Sequence, residues 1–497
     1  QETGNEIIAK TFIKKKLTRD IVNDLRNLLK NIHYQIAVRS SSLLEDSQML
    51  PFAGLYSTYM LPNNHPDIEI RLKQLCMAIK LVYASVFFKS PKEYVKNTNF
   101  RIEEEKMAVI IQQVVGQNFS NKFYPVVSGV AQSYNFYPIS HMEPEDGIVQ
   151  LALGLGTTIS EGAQTHKFSP EYPDMNPPYS SPAEWVQNSQ NYFYALDLSQ
   201  PGIKVVADEK FSLRKLDISV AENDGVLFYV ASTFSSQDNA IMDNISTKGP
   251  RLVTFANILK YNIFPLTDIL RELLKLGFSS FGSHVEIEFA VNLFRDKKKK
   301  PEFYLLQIRP LVGGKEHIDV AWDQVNKDDI IGLSNHAMGN GVYENIYDLV
   351  YVDPDTFDVS KSLVIAREIG EINQLFIDKD KSYVLIGFGR WGTADPWLGI
   401  PVEWYQISKA RIVIESNLND FVVDPSQGSH FFHNLVSLKI GYFHIKSNIN
   451  AEFLSWEWIK QQRVANSKKF VKHIRFKKNL TVKIDGRQSK GILLKPN

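Results

Sequence analysis

A single cysteine, Cys76, stands in a chain of 497 residues. It excludes an intrachain disulfide framework and any site built from several thiolates, and it fits a reducing, cytoplasmic compartment. An excess of charge is also missing. With a formal net charge of +1, no global field draws the chain to nucleic acid or to an anionic membrane, so neither is an expected partner. No run of about eighteen apolar residues occurs, and the polar start QETGNEIIAK lacks the apolar core of a secretion signal. No repeat of fixed period is visible. What is present is the composition of an ordinary globular protein, too long for one hydrophobic core, so two or more domains are expected.

Apolar spacing gives the first elements. In residues 17–31, Ile21, Leu25, Leu28 and Leu29 recur at helical intervals, and a second helix is predicted over 66–88. YQIAVRSSS, between them, reads as a buried strand entering a polar turn, and strands dominate from 107 to 155. Residues 168–203 are rich in Pro, Ser, Asn and Tyr and predict a surface excursion with little regular structure. A helix is expected in 262–276. The glycine pair in VGGKEH reads as a linker, followed by strand candidates LVIAREI, SYVLIGFG and ARIVIE, a helix near 428–438 and the strand IGYFHI. From Trp456 the chain is strongly basic, with a hairpin predicted about Asp485-Gly486.

Two strands, VEIEFAVN and FYLLQIRPLV, flank the charged loop FRDKKKKPE. Alternation puts Glu286 and Glu288 on one face, and on the partner strand Gln307 and Arg309 together with Phe303 and Leu305. Two carboxylates in so apolar a strand call for a cation, and Mg²⁺ satisfies carboxylate, amide oxygen and phosphate together. The competing reading is a sheet face that meets water, with Arg309 in a surface ion pair.

These residues resemble the N-terminal ATP-binding domain of the phosphoenolpyruvate synthase and pyruvate phosphate dikinase family, which has an ATP-grasp-like fold. Three segments match in family order: AVRSSSLLEDSQMLPFAG, then MAVIIQQVV with SGVAQSYNFYP, then EIEFAVN with YLLQIRP. The resemblance implies that Arg39 reaches the nucleotide phosphates, that Gly54 and Thr58 lie in the loop closing over them, and that Gln112 to Val115 border adenine. It implies that Glu288 and Gln307 bind metal and phosphate, with Glu286 as a further metal candidate. Arg309 would stabilise charge on the transferring phosphoryl group, so its replacement by Ala is expected to remove activity and leave the fold intact. For single residues plainer readings stand: Ser40, Ser41 and Ser42 as helix caps, Gly54 as a turn glycine, Gln112 as a core amide. The chain departs from the family in having Gly154-Leu155-Gly156-Thr157 where Gly-Leu-Gly-Glu is typical, and Gln150 where an acid is common. The family's glycine-lysine segment is absent before Arg39, which implies an N-terminal part ahead of residue 1 whose domains contact this region. Its phosphate-carrying histidine domain and pyruvate-binding barrel are not recognisable.

Two further segments stand out, IGFGRWGTADPWLGIPVEW and DPSQGSHFFHNL. Gly387, Gly389 and Gly392 with Arg390 read either as an anion loop or as packing glycines, and Trp391 with Trp397 either as a stacking surface or as turn packing. His430, at a helix start after Gly428-Ser429, is a candidate phosphate acceptor, against the plainer reading of a histidine bonded to backbone. His433 with His430 and Asp395 or Asp424 forms a candidate metal set. The expected organisation is an α+β or α/β chain: an ATP-grasp-like nucleotide-binding domain at 1–315, a smaller α/β domain at 316–455, and a basic tail at 456–497. The expected function is an ATP- and Mg²⁺-dependent phosphotransferase of the dikinase type. Its acceptor would be a small molecule or a histidine-bearing domain, and a non-catalytic ATP-sensing module is the alternative.

Overall fold

The computed structural model describes residues 4–42, 54–96, 105–136, 138, 141–175, 182–296, 298–311, 325–418, 421–425, 430–438, 440–446, 452–486 and 488–496. Helices and sheets mix throughout. The linker glycines of VGGKEH and most of the turn after Ser42 lie outside the described residues.

Strand Ile36–Ser42 is the centre of a three-stranded antiparallel sheet, between Thr58–Leu61 and Met107–Gln113. Ser40, Ser41 and Ser42 are therefore strand residues and cap no helix. Helix Ile68–Ser85 packs Leu72, Leu75, Ile79 and Val82 against Val38 and Tyr59 of that sheet, and Asp67 caps it by accepting from the Glu69 N–H at 2.8 Å. Helix Arg19–Asn31 buries Leu25 and Leu29, whereas Ile21 is 46% and Leu28 36% exposed. The predicted apolar face is thus narrower than its four residues, because the helix meets the core along one edge only.

A five-stranded sheet faces this one. Its order is Glu302–Pro310, Val285–Asn292, Val127–Gln132, Ile148–Ala152 and His166–Phe168. Gly129 lies opposite Phe289, and a Cβ there would overlap the phenylalanine ring. Helix Leu266–Phe281 covers the other face through Leu270 and Leu274. The described part of 168–203 is more ordered than its composition predicts. Tyr192–Asp197 is an inner strand of a four-stranded sheet, with Phe193, Ala195 and Leu196 fully buried, because its own apolar run outweighs the Pro- and Asn-rich stretch before it.

Strands between residues 330 and 494 build one ten-stranded sheet. Tyr383–Phe388, Ala410–Ser416 and Gly441–Ile445 run parallel at its heart. LVIAREI, expected as a strand, belongs to helix Ser362–Ile377: Ile365, Ala366, Ile369, Ile372 and Phe376 are buried at helical spacing, a period that the short apolar run alone does not reveal. The basic segment after Trp456 does not stand apart. Its strand Val471–Asp485 pairs with Asn340–Val352, and Lys490–Leu494 closes a hairpin with Asp485 opposite Lys490. A shared apolar cluster joins this sheet to the N-terminal half, where Tyr94 meets Trp404 with ring centroids 6.0 Å apart. Among the described residues no helix is long and apolar enough to cross a membrane.

Candidate functional site

The hairpin sets the site's register. Glu286 lies opposite Arg309 and Glu288 opposite Gln307, all on one face, as alternation requires. Beyond Glu288 the ladder shifts, so that Phe289 faces Leu305 and Val291 faces Phe303. This bulge corrects the expectation that Phe303 and Leu305 share the face of Gln307 and Arg309. Phe303 instead stacks on Phe289, 5.3 Å between centroids, and joins the core.

On the facing sheet, Arg39 pairs in register with Thr58 and Ile110 and reaches across to Gln307, donating from Nη2 to Oε1 at 2.7 Å. Gln112 spans the same gap to the Leu306 carbonyl at 3.4 Å. Between the sheets lies a cleft of about 390 Å³, a size that suits a small-molecule ligand. Arg39, Gly54, Thr58, Gln112, Val115, Glu286, Glu288, Gln307 and Arg309 all line it. Ala37, Met60, Val114, Leu155 and Phe289 give the same cleft an apolar wall.

Charge inside the cleft is partly committed. Arg309, 7% exposed, donates from Nε and Nη2 to one oxygen of Glu286 at 2.9 and 2.5 Å, and Gln132 Nε2 donates to the other at 2.6 Å. Glu286, 2% exposed, is therefore the partner that holds Arg309. The same pair corrects the expectation that Arg309 can be removed without cost to the fold, since a lone buried carboxylate would remain. Glu288 is different. Its side chain keeps 30% exposure, and its approach to Arg309 Nη2 is 4.0 Å.

Sequence reasoning missed part of the lining. Glu161, Glu209 and Lys210 also face the cleft. Glu161 forms an ion pair with Lys210 and accepts from the Tyr194 hydroxyl at 2.9 Å, while burial, reinforced by Glu161, pushes that hydroxyl up and keeps it a donor. Glu209 accepts from the Thr58 N–H at 3.2 Å. The one signal for Glu161 was its place just after the Gly154-Leu155-Gly156 turn, whose Ser128-bound Gly154 has φ +86° and carries the chain into the cleft floor at Leu155, Gly156 and Thr157.

The sequence model of the family described as "Pyruvate phosphate dikinase, AMP/ATP-binding domain" matches residues 1–327, well over half of the chain. The chain belongs to this family. The dikinase-family region thus contains the whole cleft. The chain is also 28% identical over 172 residues to the "Uncharacterized phosphotransferase YvkC" of Bacillus subtilis (strain 168), a stretch that is 33% of this chain and 18% of that protein. The match spans less than a fifth of the relative's length.

Outside the dikinase-family region, the second set of candidates takes a different form. Arg390, 6% exposed, spends its guanidinium on the carbonyls of Gly162, Ala163 and Asp424. Gly387 and Gly392 give room to Trp391 and Phe431, so both glycines pack against aromatic rings. Trp391 is 1% exposed and hydrogen-bonded through Nε1 to the Ile414 carbonyl at 3.0 Å, while Trp397 is 65% exposed, which excludes a shared stacking surface. Burial would raise the Asp424 carboxyl, but Lys167, Arg390 and Lys446 hold it below the usual range. Asp395 accepts from the Trp397 N–H at 3.0 Å. His430 opens helix His430–Ser437 and His433 lies within it; the side chains of both fall outside the described residues. Among the described residues no group of three His, Cys, Asp or Glu side chains forms a metal cage.

Proposed function

We propose that this protein is an ATP- and Mg²⁺-dependent phosphotransferase module of the dikinase type, with an ATP-grasp-like nucleotide site between its two facing sheets. One observation carries the reading: Arg39, Arg309, Glu288 and Gln307 converge on a single cleft from strands far apart in sequence. A guanidinium fork suits a phosphate's oxygens, and Arg309, bound to Glu286 through Nε and Nη2, adds its charge to the cleft that Arg39 enters. Adenine lies against the apolar wall bordered by Gln112 to Val115.

The donor set fits magnesium. Mg²⁺ is commonly held by one or two carboxylates with phosphate and water completing its shell, and here Glu288 with the Gln307 amide oxygen supplies hard oxygen ligands. When bound, the ion neutralises charge on the phosphates. Arg309, held in place by Glu286, faces the charge that develops on the transferred phosphoryl group, while Arg39 orients the phosphates. The acceptor is a small molecule or a histidine-bearing domain.

Calorimetric titration of the full chain with MgATP tests the first half, with saturable heat expected. Incubation with β- and γ-labelled ATP tests the second. Transfer to protein histidine or to a small acceptor supports the phosphotransferase reading, whereas tight binding without transfer or hydrolysis leaves an ATP sensor. Absence of any heat overturns both.

A further inference from the structure

The floor of the cleft leaves it along a short path. After Gly156 come the single helical turn Thr157–Ser160, then residues 161–165, then the edge strand His166–Phe168. That path is gripped by the ten-stranded sheet unit. The Ala394 N–H donates to the Glu161 carbonyl at 3.0 Å, and Arg390 Nη1 donates to the carbonyls of Gly162 and, at 3.1 Å, Ala163. Lys167 Nζ in turn reaches the Pro425 carbonyl at 3.3 Å.

Arg390 is itself fixed from behind. Its Nε donates to the Asp424 carbonyl at 2.8 Å, and the next residue, Trp391, gives its N–H to Glu415 Oε1 at 2.9 Å from inside the core. Glu161 is thus a joint, with its backbone carbonyl held by the second unit and its carboxylate facing the cleft. The strap also continues along the sheet. Lys167 stands in register with Gln150, Gln150 with Val130, and Val130 with Glu288, three strand spacings or roughly 14 Å from strap to carboxylate.

We infer that Arg390 is a positioning residue for the nucleotide cleft, and that the second unit serves to fix the cleft floor between Leu155 and Ala163. A buried guanidinium with three carbonyl acceptors locks the peptide planes it meets, and without it those carbonyls lose their donor and the floor gains freedom. Nucleotide binding and order at residues 390–395 are therefore coupled, and the coupling runs both ways. The inference rests on the proposed ATP reading.

The test uses the full chain, with magnesium and a non-hydrolysable ATP analogue as the probe. Arg390→Gln is expected to raise amide exchange at 154–163 in the ligand-free protein and to weaken binding about 10- to 100-fold. Arg390→Lys restores part of the affinity. Probe addition to the wild type slows exchange at both 154–163 and 390–395. Glu288→Gln, by contrast, weakens binding with no change in ligand-free exchange at the floor. Should Arg390→Gln not fold, Ala394→Pro removes the N–H that donates to the Glu161 carbonyl, from an exposed position, and is expected to loosen the floor likewise. A folded Arg390→Gln or Ala394→Pro protein with wild-type affinity and wild-type floor exchange overturns the inference. Absence of probe binding by the wild type overturns the ATP reading instead.

Discussion

Arg309 and Glu286 form a buried ion pair across the hairpin, with Nη2 at 2.5 Å and Nε at 2.9 Å from one carboxylate oxygen, at side-chain exposures of 8% and 2%. Such a pair fixes the guanidinium's direction, but breaking it on one side strands the other charge. Arg309→Ala is therefore expected to lower the unfolding free energy by about 3–5 kcal/mol as well as abolish the proposed phosphoryl transfer. The double variant Arg309→Met/Glu286→Leu recovers most of that stability and none of the activity. Urea unfolding of the three proteins checks this, and a single variant as stable as the wild type contradicts the pairing.

Glu288 separates chemistry from folding. It keeps 30% side-chain exposure and approaches Arg309 only at 4.0 Å, so its charge is not needed to balance a buried partner. Glu288→Gln is expected to leave stability within about 0.5 kcal/mol of the wild type. Magnesium-dependent nucleotide binding should weaken at least about tenfold, or about 1.4 kcal/mol, in calorimetry. Full affinity in this variant removes Glu288 from the proposed metal site.

The hairpin was legible because a period of two needs only neighbouring residues, and the shared faces of Glu286 with Glu288 and of Gln307 with Arg309 followed from it. The bulge after Glu288 was not, since no glycine or proline marks it. Nor was the burial of Glu286, which depends on Gln132 from a strand 154 residues away in sequence. The cleft residues Arg39, Gln112 and Gln307 were reached through family resemblance. Glu161 and Lys210 lie on connecting segments where no periodicity operates. In the second region, LVIAREI misled because a short β-branched run fits strand and helix equally, and Ile372 and Phe376, which complete the helical stripe, lie beyond it.

Gly129 tests whether the cleft wall is packed as tightly as the register implies. The Phe289 ring lies over it, and any Cβ at that position overlaps the ring. Gly129→Ala is expected to destabilise the protein by about 1–3 kcal/mol, as small-to-large changes in a packed site do. Because Phe289 also lines the cleft, nucleotide affinity should fall with it. Gly156→Ala is the control, since its Cβ would meet only the Ser128 Cβ, at 3.9 Å, and should change stability far less. Equal effects at the two positions refute the packing argument.

Two histidines make the fold acid-sensitive. Burial pushes His166, stacked on Trp185 at 6.0 Å, down to about 4. Burial likewise pushes His444 down to about 3, with Lys446 and His336 adding to the effect and Asp424 opposing it. In the unfolded chain both titrate near 6.5. Between that value and their folded values the unfolded state binds more protons, so stability rises with pH across the window and is lost as pH falls from about 6.5 toward 4. Each histidine contributes a slope of up to about 1.4 kcal/mol per pH unit. Above pH 7 neither contributes. His166→Phe keeps a ring against Trp185 and removes the titration, so its unfolding free energy, measured in urea at pH 7, 6 and 5, should fall less steeply than the wild type's. Parallel curves for the two proteins show that His166 takes up its proton as readily in the folded chain as in the unfolded one.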